Sequence, residues 1–369
     1  CPHQAISIHT VNVAQVIEDA EANAFLPAAP DPQITFPTTR YKSKKPFPRN
    51  LLPADYYRVG PQHAHFPLVV MLVLTQLSVG AFTVGLLLDE FIDEHLAQAL
   101  RPWQALNALG FGLLALSSSV LHLGRPQYAF RAVLGLRHSW LSREILAFGV
   151  FAKLAIAYAG AVMLARDPAS AVAPFVIPLG WSVSITGALA ILCSAMVYVF
   201  TRRECWSPVR VGVRFFLTSA WLGVAVVWLS ILLLATASNS SEFTELLARL
   251  GPALCRSLIA IAALKLLWEA AIFRHLADRR MSPLKRSALL MVRDLSNTTI
   301  ARFAAGVLGG LLMPALLLGS FASLSGGHGL LQFVVSVGML FVGCLAGELL
   351  ERCLFFTACA APRMPGGIR

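Results

Sequence analysis

Charge is scarce in this sequence: only 13% of its 369 residues are Asp, Glu, Lys or Arg. Soluble domains carry roughly 25%, so a water-facing surface over the whole chain is excluded. Acidic residues are the scarcer sign, 19 against 30 Lys and Arg. That excess of base does not point to nucleic acid, because the chain has no basic helix and no basic groove interleaved with aromatics. Basic loops flanking membrane spans account for it. The seven cysteines (Cys1, Cys193, Cys205, Cys255, Cys344, Cys353, Cys359) include no CxxC pair and no metal-site spacing. Five of them fall in or beside apolar segments and read as small buried hydrophobes. Histidines at bilayer depth are lacking too. The nine are His3, His9, His63, His65, His95, His122, His138, His275 and His328, mostly in the N-terminal region or at loop boundaries. A bis-His haem therefore has no facing pair of ligands. Finally, no internal repeat and no matched pair of Gly/Pro-broken helices appears, which counts against an ion-translocating, transporter-like subunit.

What is present is apolar length. Hydrophobic residues make up 57% of the chain and its mean hydropathy is +0.68. Runs of about 20 apolar residues recur, the length a helix needs to cross the hydrocarbon layer. Eight such segments are predicted, near 67–88, 102–121, 142–164, 171–200, 211–237, 251–272, 302–324 and 330–356. Pro174 and Pro178 suggest a broken turn at the start of the fourth, and the long connection 274–301 has room for a surface helix. Residues 1–66 differ, with proline spacing that favours extended chain and one helical hint over 13–24. The expected fold is an all-α integral membrane bundle of about eight transmembrane helices, 67–369, behind an extended N-terminal tether, 1–66.

On this map the charges separate. The tether, the even loops and the C-terminus carry 24 Lys and Arg, whereas the opposite side carries Arg101, Arg166, Arg249 and Arg256 and an acidic cluster, Asp89, Glu90, Asp93 and Glu94. Such a bias predicts a cytoplasmic N-terminus. Basic loops would also suit docking of an acidic subunit on that face. Lys153, Lys265 and Glu269 lie inside segments, where a charge at mid-membrane costs about 2.5–3.5 kcal/mol on insertion scales and faces the bundle interior. Lys265 and Glu269, four apart, share a helix face and can pair, as a structural ion pair or as part of a proton path. Lys153 has no partner in its own segment.

Two motifs carry candidate chemistry. Cys1-Pro2-His3-Gln4-Ala5-Ile6-Ser7-Ile8 has the form of the last cysteine of a ferredoxin CxxCxxCxxxCP run, with the first three cysteines absent. Three readings stand: a [4Fe-4S] ligand in a longer polypeptide, a lipidated N-terminal cysteine, or chance. The second motif is Leu121-His122-Leu123-Gly124-Arg125-Pro126, followed by Leu141-Ser142-Arg143-Glu144-Ile145. His122 closes one segment and Glu144 opens the next, both at the N-terminal-side boundary. An imidazole and a carboxylate there could accept the protons released by a quinol. They could equally be an interfacial histidine and a first-turn acid favoured by the helix dipole.

These residues, with Ala129-Phe130, Trp206-Ser207-Pro208, Phe215-Phe216-Leu217-Thr218, Arg256, Trp268 and Ala346-Gly347-Glu348-Leu349 with Arg352, resemble the dimethyl sulfoxide reductase membrane-anchor family in the same order. The resemblance implies eight helices, no haem, and oxidation of menaquinol or another quinone for a four-cluster iron–sulfur subunit and a molybdopterin catalytic subunit in the bacterial cytoplasmic (inner) membrane. It assigns His122 and Glu144 to proton acceptance, and His122, Arg125, Glu144, Glu348 and Arg352 to the quinone site. The Cys1 segment implies fusion to the end of the ferredoxin-like subunit. Two features depart from the family: HLGRP at 122–126 is nearer the polysulfide and nitrite reductase anchors, and the charge bias places the termini inside.

Overall fold

The computed structural model describes residues 59–120, 126–165, 170–238, 241–321 and 330–360, together with Asn12 and Ala14. The Cys1 motif, His122, Arg125 and most of the tether lie outside the described residues.

Among the described residues the chain is helical. In lipid every backbone group must be satisfied internally, and a helix does this within one segment. The long elements are α1 (Phe66–Leu88), α2 (Glu94–Val120), α3 (Trp140–Leu164), α4 (Val176–Val199), α5 (Pro208–Ser238) and α6 (Ser241–Ala270). After them come a short α7 (Pro283–Val292), then α8 (Ser296–Ser320) and α9 (Leu330–Thr357). Local signals set several starts. Pro67 occupies the first turn of α1, where its missing N–H costs nothing. Ser139 caps α3 by accepting from the Ser142 amide, and Ser282 caps α7 by accepting from that of Lys285. In α8 a π-turn over Leu308–Leu312 precedes Pro314. The wider turn absorbs the donor and the space that proline removes.

Seven of these helices are long and apolar enough to cross a membrane among the described residues. The second predicted segment is the exception: α2 has 27 residues but carries Arg101, Gln104, Asn107 and three serines. Several of its polar groups are paired with neighbouring helices. Asn107 Nδ2 donates to Ser230 Oγ of α5 at 3.0 Å, and the α2 carbonyl of Ala108 accepts from Ser78 of α1 at 2.7 Å. At one end of α2 Ser118 bonds the Pro67 carbonyl, and at the other Arg101 bonds Asp89. These contacts lie at opposite ends of α1, so α2 runs antiparallel to it along its whole length and traverses the same thickness.

Two boundaries differ from the sequence reading. Helices α2 and α6 begin at Glu94 and Ser241, about two and three turns before an internal proline, Pro102 and Pro252. Those turns hold charged residues, so they fall outside the apolar runs by which the segments were read. The helix in the 274–301 connection is less superficial than expected: six of the ten residues of α7 are buried, and Ser287 Oγ accepts from the Ala360 amide beyond α9.

The bundle is organised around α1 and α5. The apolar window of α1 is 78% buried and that of α5 67%, against 28–44% for the other spans, so these two form the centre. They touch at Gly80 and Gly223. A Cβ on Gly80 would overlap the Ser219 carbonyl, and one on Gly223 would lie 2.5 Å from the Gly80 carbonyl carbon. Small residues at a crossing let helix backbones approach closely in lipid.

Candidate functional site

Two groups of buried polar residues lie in the half of the bundle where α1 starts and α9 ends. The first is at the start of α3. The entry is rigid: Arg143 lies over the Trp140 ring at 4.2 Å and donates to the carbonyls of Leu136 and Arg137. This fixes the helix rotation, so Ser142 and Glu144 point inward and are buried. Glu144 neighbours Ser194 of α4. Glu144 Oε1 and Ser194 Oγ are both buried and approach each other, but neither makes a well-formed hydrogen bond to any described residue. Orphaned buried polar atoms are uncommon in native structures and call for a partner.

The second group is an ion network joining α1, α5, α6, α8 and α9. Arg302 of α8 donates from Nε and Nη2 to the two oxygens of Glu269, both at 2.9 Å, and from Nη2 to Glu348 Oε1 at 2.9 Å. Lys265 Nζ lies 3.3 Å from Glu269, 3.2 Å from Glu348 and 2.9 Å from Thr218 Oγ1. The Thr218 hydroxyl is 2.5 Å from Glu348 Oε2. Arg352 Nη2 donates to Gln76 Oε1 at 2.9 Å and lies over the Phe215 ring at 4.3 Å. Glu351 bridges Arg352 at 3.4 Å and Arg214 at 3.7 Å. Lys265, Arg302, Glu348 and Arg352 are fully buried. Such a network holds only when each charge is paired, because desolvation of a lone ion exceeds what a single contact returns.

Glu348 and Arg352 are thus brought together as anticipated, one turn apart and through Thr218. Both Glu348 oxygens are engaged within the network, whereas Arg352 bonds through Nη2 alone and Glu144 is open on one oxygen. Tyr198 lies within electrostatic reach of both groups, near Glu144 and Arg352. Tyr198 packs edge-on against Trp206, Phe215 and Phe355 at 5.3, 6.0 and 5.1 Å between ring centres.

The Lys265–Glu269 pair anticipated from spacing is present. Lys153, by contrast, is exposed on α3 and does not face an interior cavity among the described residues. Sequence reasoning overlooked Gln76, Tyr198, Arg214, Thr218, Arg302 and Glu351 as members of these groups. Arg214, Arg302 and Arg352 were counted with the basic loops, yet they lie inside helices; the charge bias survives their removal. Their signal was a charge a turn or two inside an apolar run. On the opposite side, Arg101 is taken up by Asp89 at 2.8 Å and by both oxygens of Glu94 at 2.8 and 3.1 Å.

A narrow cavity of about 40 Å³ opens beside the network, lined by Arg214, Glu269, Arg302, Glu351, Cys205 and Cys359 among others. The sulfurs of Cys205, in the turn between α4 and α5, and Cys359, just beyond α9, are 2.6 Å apart. A hydrogen bond from Cys205 and the Arg203 guanidinium hold the Cys359 thiol below its ordinary pKa, while that same bond and burial push Cys205 up.

Comparison with known proteins gives two matches. The family model described as DMSO reductase anchor subunit (DmsC) matches residues 61–357. One component of a sulfite dehydrogenase from Allochromatium vinosum is 32% identical over 124 residues, covering 31% of this chain and 38% of that protein. The second match therefore spans well under half of either chain.

Proposed function

The chain belongs to the DMSO reductase anchor subunit (DmsC) family, and we propose that it is the quinol-oxidising membrane anchor of a respiratory molybdoenzyme. In this reading it passes electrons from menaquinol or another quinol to an iron–sulfur subunit with [4Fe-4S] clusters. That subunit in turn serves a molybdopterin catalytic subunit, so this chain lacks the terminal catalytic centre. The compartment proposed is the bacterial cytoplasmic membrane.

The observation that carries the reading is the orphaned pair Glu144 Oε1 and Ser194 Oγ, buried at the membrane boundary. A quinol hydroxyl suits that pair: it can donate to Glu144 Oε1 beside the Ser194 hydroxyl. Oxidation of a quinol releases two electrons and two protons. His122 and Glu144 are proposed to take up the protons, a neutral imidazole and a carboxylate being suited to that task near neutral pH. Arg125 would hold a quinone oxygen. Glu348 and Arg352 are proposed to bias the site electrostatically from behind Tyr198.

Two assays on the assembled complex test this. Replacing His122 by Ala or Glu144 by Gln should suppress quinol-driven turnover by about 10²-fold or more, the usual weight of general acid–base catalysis. Turnover driven by a small reductant feeding the clusters directly should persist. Equal loss in both assays, or none in either with membrane levels unchanged, would remove these residues from the mechanism.

A second reading has electrons running the other way, as in a polysulfide- or nitrite-reductase-type anchor working with quinone in either direction. The partial match to a sulfite dehydrogenase component favours weighing it. Quinone reduction by the complex with sulfite as donor, faster than quinol oxidation, would select it. The Cys1 segment extends the proposal to a fused iron–sulfur domain; that part rests on residues 1–8 alone, since the family match begins at residue 61. Iron and sulfide analysis of the native polypeptide tests it.

A further inference from the structure

Between the ends of α5 and α6, on the side where α5 begins, lies an open cleft of about 280 Å³ lined by Arg210, Arg214, Arg274, Trp268, Val209 and Ile272, among others. The three guanidiniums are within electrostatic reach of one another around Arg210. The Glu204 carboxylate is within electrostatic reach of Arg210, and Glu269, already paired with Arg302 and Lys265, is within reach of Arg214. Arg210 Nη1 donates to the main-chain carbonyl of Glu204, and the Glu351 carboxylate is 3.7 Å from Arg214. Arg214 Nε is buried and has no partner among the described residues. Three like charges lining one cleft repel each other, and a bound anion would relieve that repulsion.

The surroundings say which kind. Trp268 stands at the level where aromatic residues mark the membrane–water interface. From the cleft toward mid-bilayer the two helices present large exposed apolar side chains, Val209 and Phe216 on α5 and Leu264 and Leu267 on α6. A cationic headgroup pocket opening onto an apolar track is complementary to a molecule with one charged end and long hydrocarbon chains. A neutral quinone would leave the arginines unbalanced, and a soluble anion would leave the track unused.

We propose that this cleft binds an anionic glycerophospholipid, its phosphodiester held by Arg210, Arg214 and Arg274 and its acyl chains lying along Val209, Phe216, Leu264 and Leu267. Basic pockets between transmembrane helices hold acidic headgroups by this combination of charge and desolvation. The inference stands apart from the quinol reading.

The test uses the purified full chain, with its partner subunits where they co-purify, after exchange into neutral detergent. Phosphatidylglycerol, phosphatidylcholine and inorganic phosphate are offered separately, and bound lipid is read by native mass spectrometry. Phosphatidylglycerol should be retained over phosphatidylcholine. Arg274→Gln, at an exposed position that leaves the ion network intact, should weaken retention about fivefold, the scale of one basic residue near an anionic lipid. Arg210→Gln combined with it should weaken retention further. Arg279→Gln, a basic residue on the same side away from the cleft, should change nothing. Equal retention of the two lipids, no effect of Arg274→Gln, or displacement of phosphatidylglycerol by millimolar inorganic phosphate would each overturn the proposal, the last by identifying a free-phosphate site.

Discussion

Glu144 and Glu348 are both buried carboxylates on the same side of the bundle, and their surroundings assign them different work. Glu348 accepts from Thr218, Lys265 and Arg302, so its charge is part of what lets two cations remain buried. Glu348→Gln should leave Lys265 and Arg302 under-compensated. Breaking one member of a buried ion pair costs about 3–5 kcal/mol, so the variant should melt well below wild type in detergent or fail to accumulate in membranes. Glu144→Gln removes no such partner and should melt close to wild type while losing quinol-driven turnover. If the two variants lost stability alike, the division between scaffold and site would be wrong. Residue types were readable from the sequence, including Lys265 with Glu269. The partners of Glu348 were not, since Thr218, Lys265 and Arg302 come from three other helices.

Among helices, small residues and short contacts do the positioning. At the α1–α5 crossing, any side chain on Gly80 would meet the Ser219 backbone, which cannot yield without moving the helix. Gly80→Leu should therefore prevent accumulation of folded protein. Gly110→Ala, with nothing within 4 Å of the added carbon, should be tolerated; membrane levels by blotting separate the two outcomes. A second contact joins the α4–α5 turn to the end of α9, where Trp206 Nε1 bonds the Phe355 carbonyl and Cys205 meets Cys359. Because Cys359 is held below its ordinary pKa, its thiolate forms at lower pH than an unperturbed thiol near 8.5 would allow. Mild oxidation at neutral pH should link the two cysteines, each giving up one hydrogen to the oxidant. Peptide mapping should find the bridge, and Cys205→Ser should abolish it. Recovery of both peptides only as free thiols would show that these two elements are not held together.

For the molecule as a whole, orientation follows from charge. The loops on the α1-start side carry most of the Lys and Arg, while the opposite α1–α2 connection carries Asp89, Glu90, Asp93 and Glu94, and on that distribution we propose that the basic side faces the cytoplasm. A reporter active only outside the cytoplasm should be silent when fused after Arg280 and active after Asp93; the reverse pattern would invert the topology. The orphaned Glu144 and Ser194 oxygens, the ion network and the arginine cleft all lie on the basic side. One surface thus combines the proposed proton acceptors with the charge that would dock an iron–sulfur partner.

Hydropathy along the chain was enough to determine an all-helical membrane bundle, because a lipid-exposed segment has one way to satisfy its backbone and needs about 20 apolar residues to do so. The order of the segments and the 61–357 family relationship follow from the same local marks. Only the tertiary structure decided that α2, polar by composition, traverses the bundle, since its polar groups find partners on α1 and α5. It also decided which intramembrane charges pair and which buried polar atoms are left without a hydrogen bond. Pairing is a property of side chains from different helices meeting in a space without water, and no single run of sequence contains that geometry.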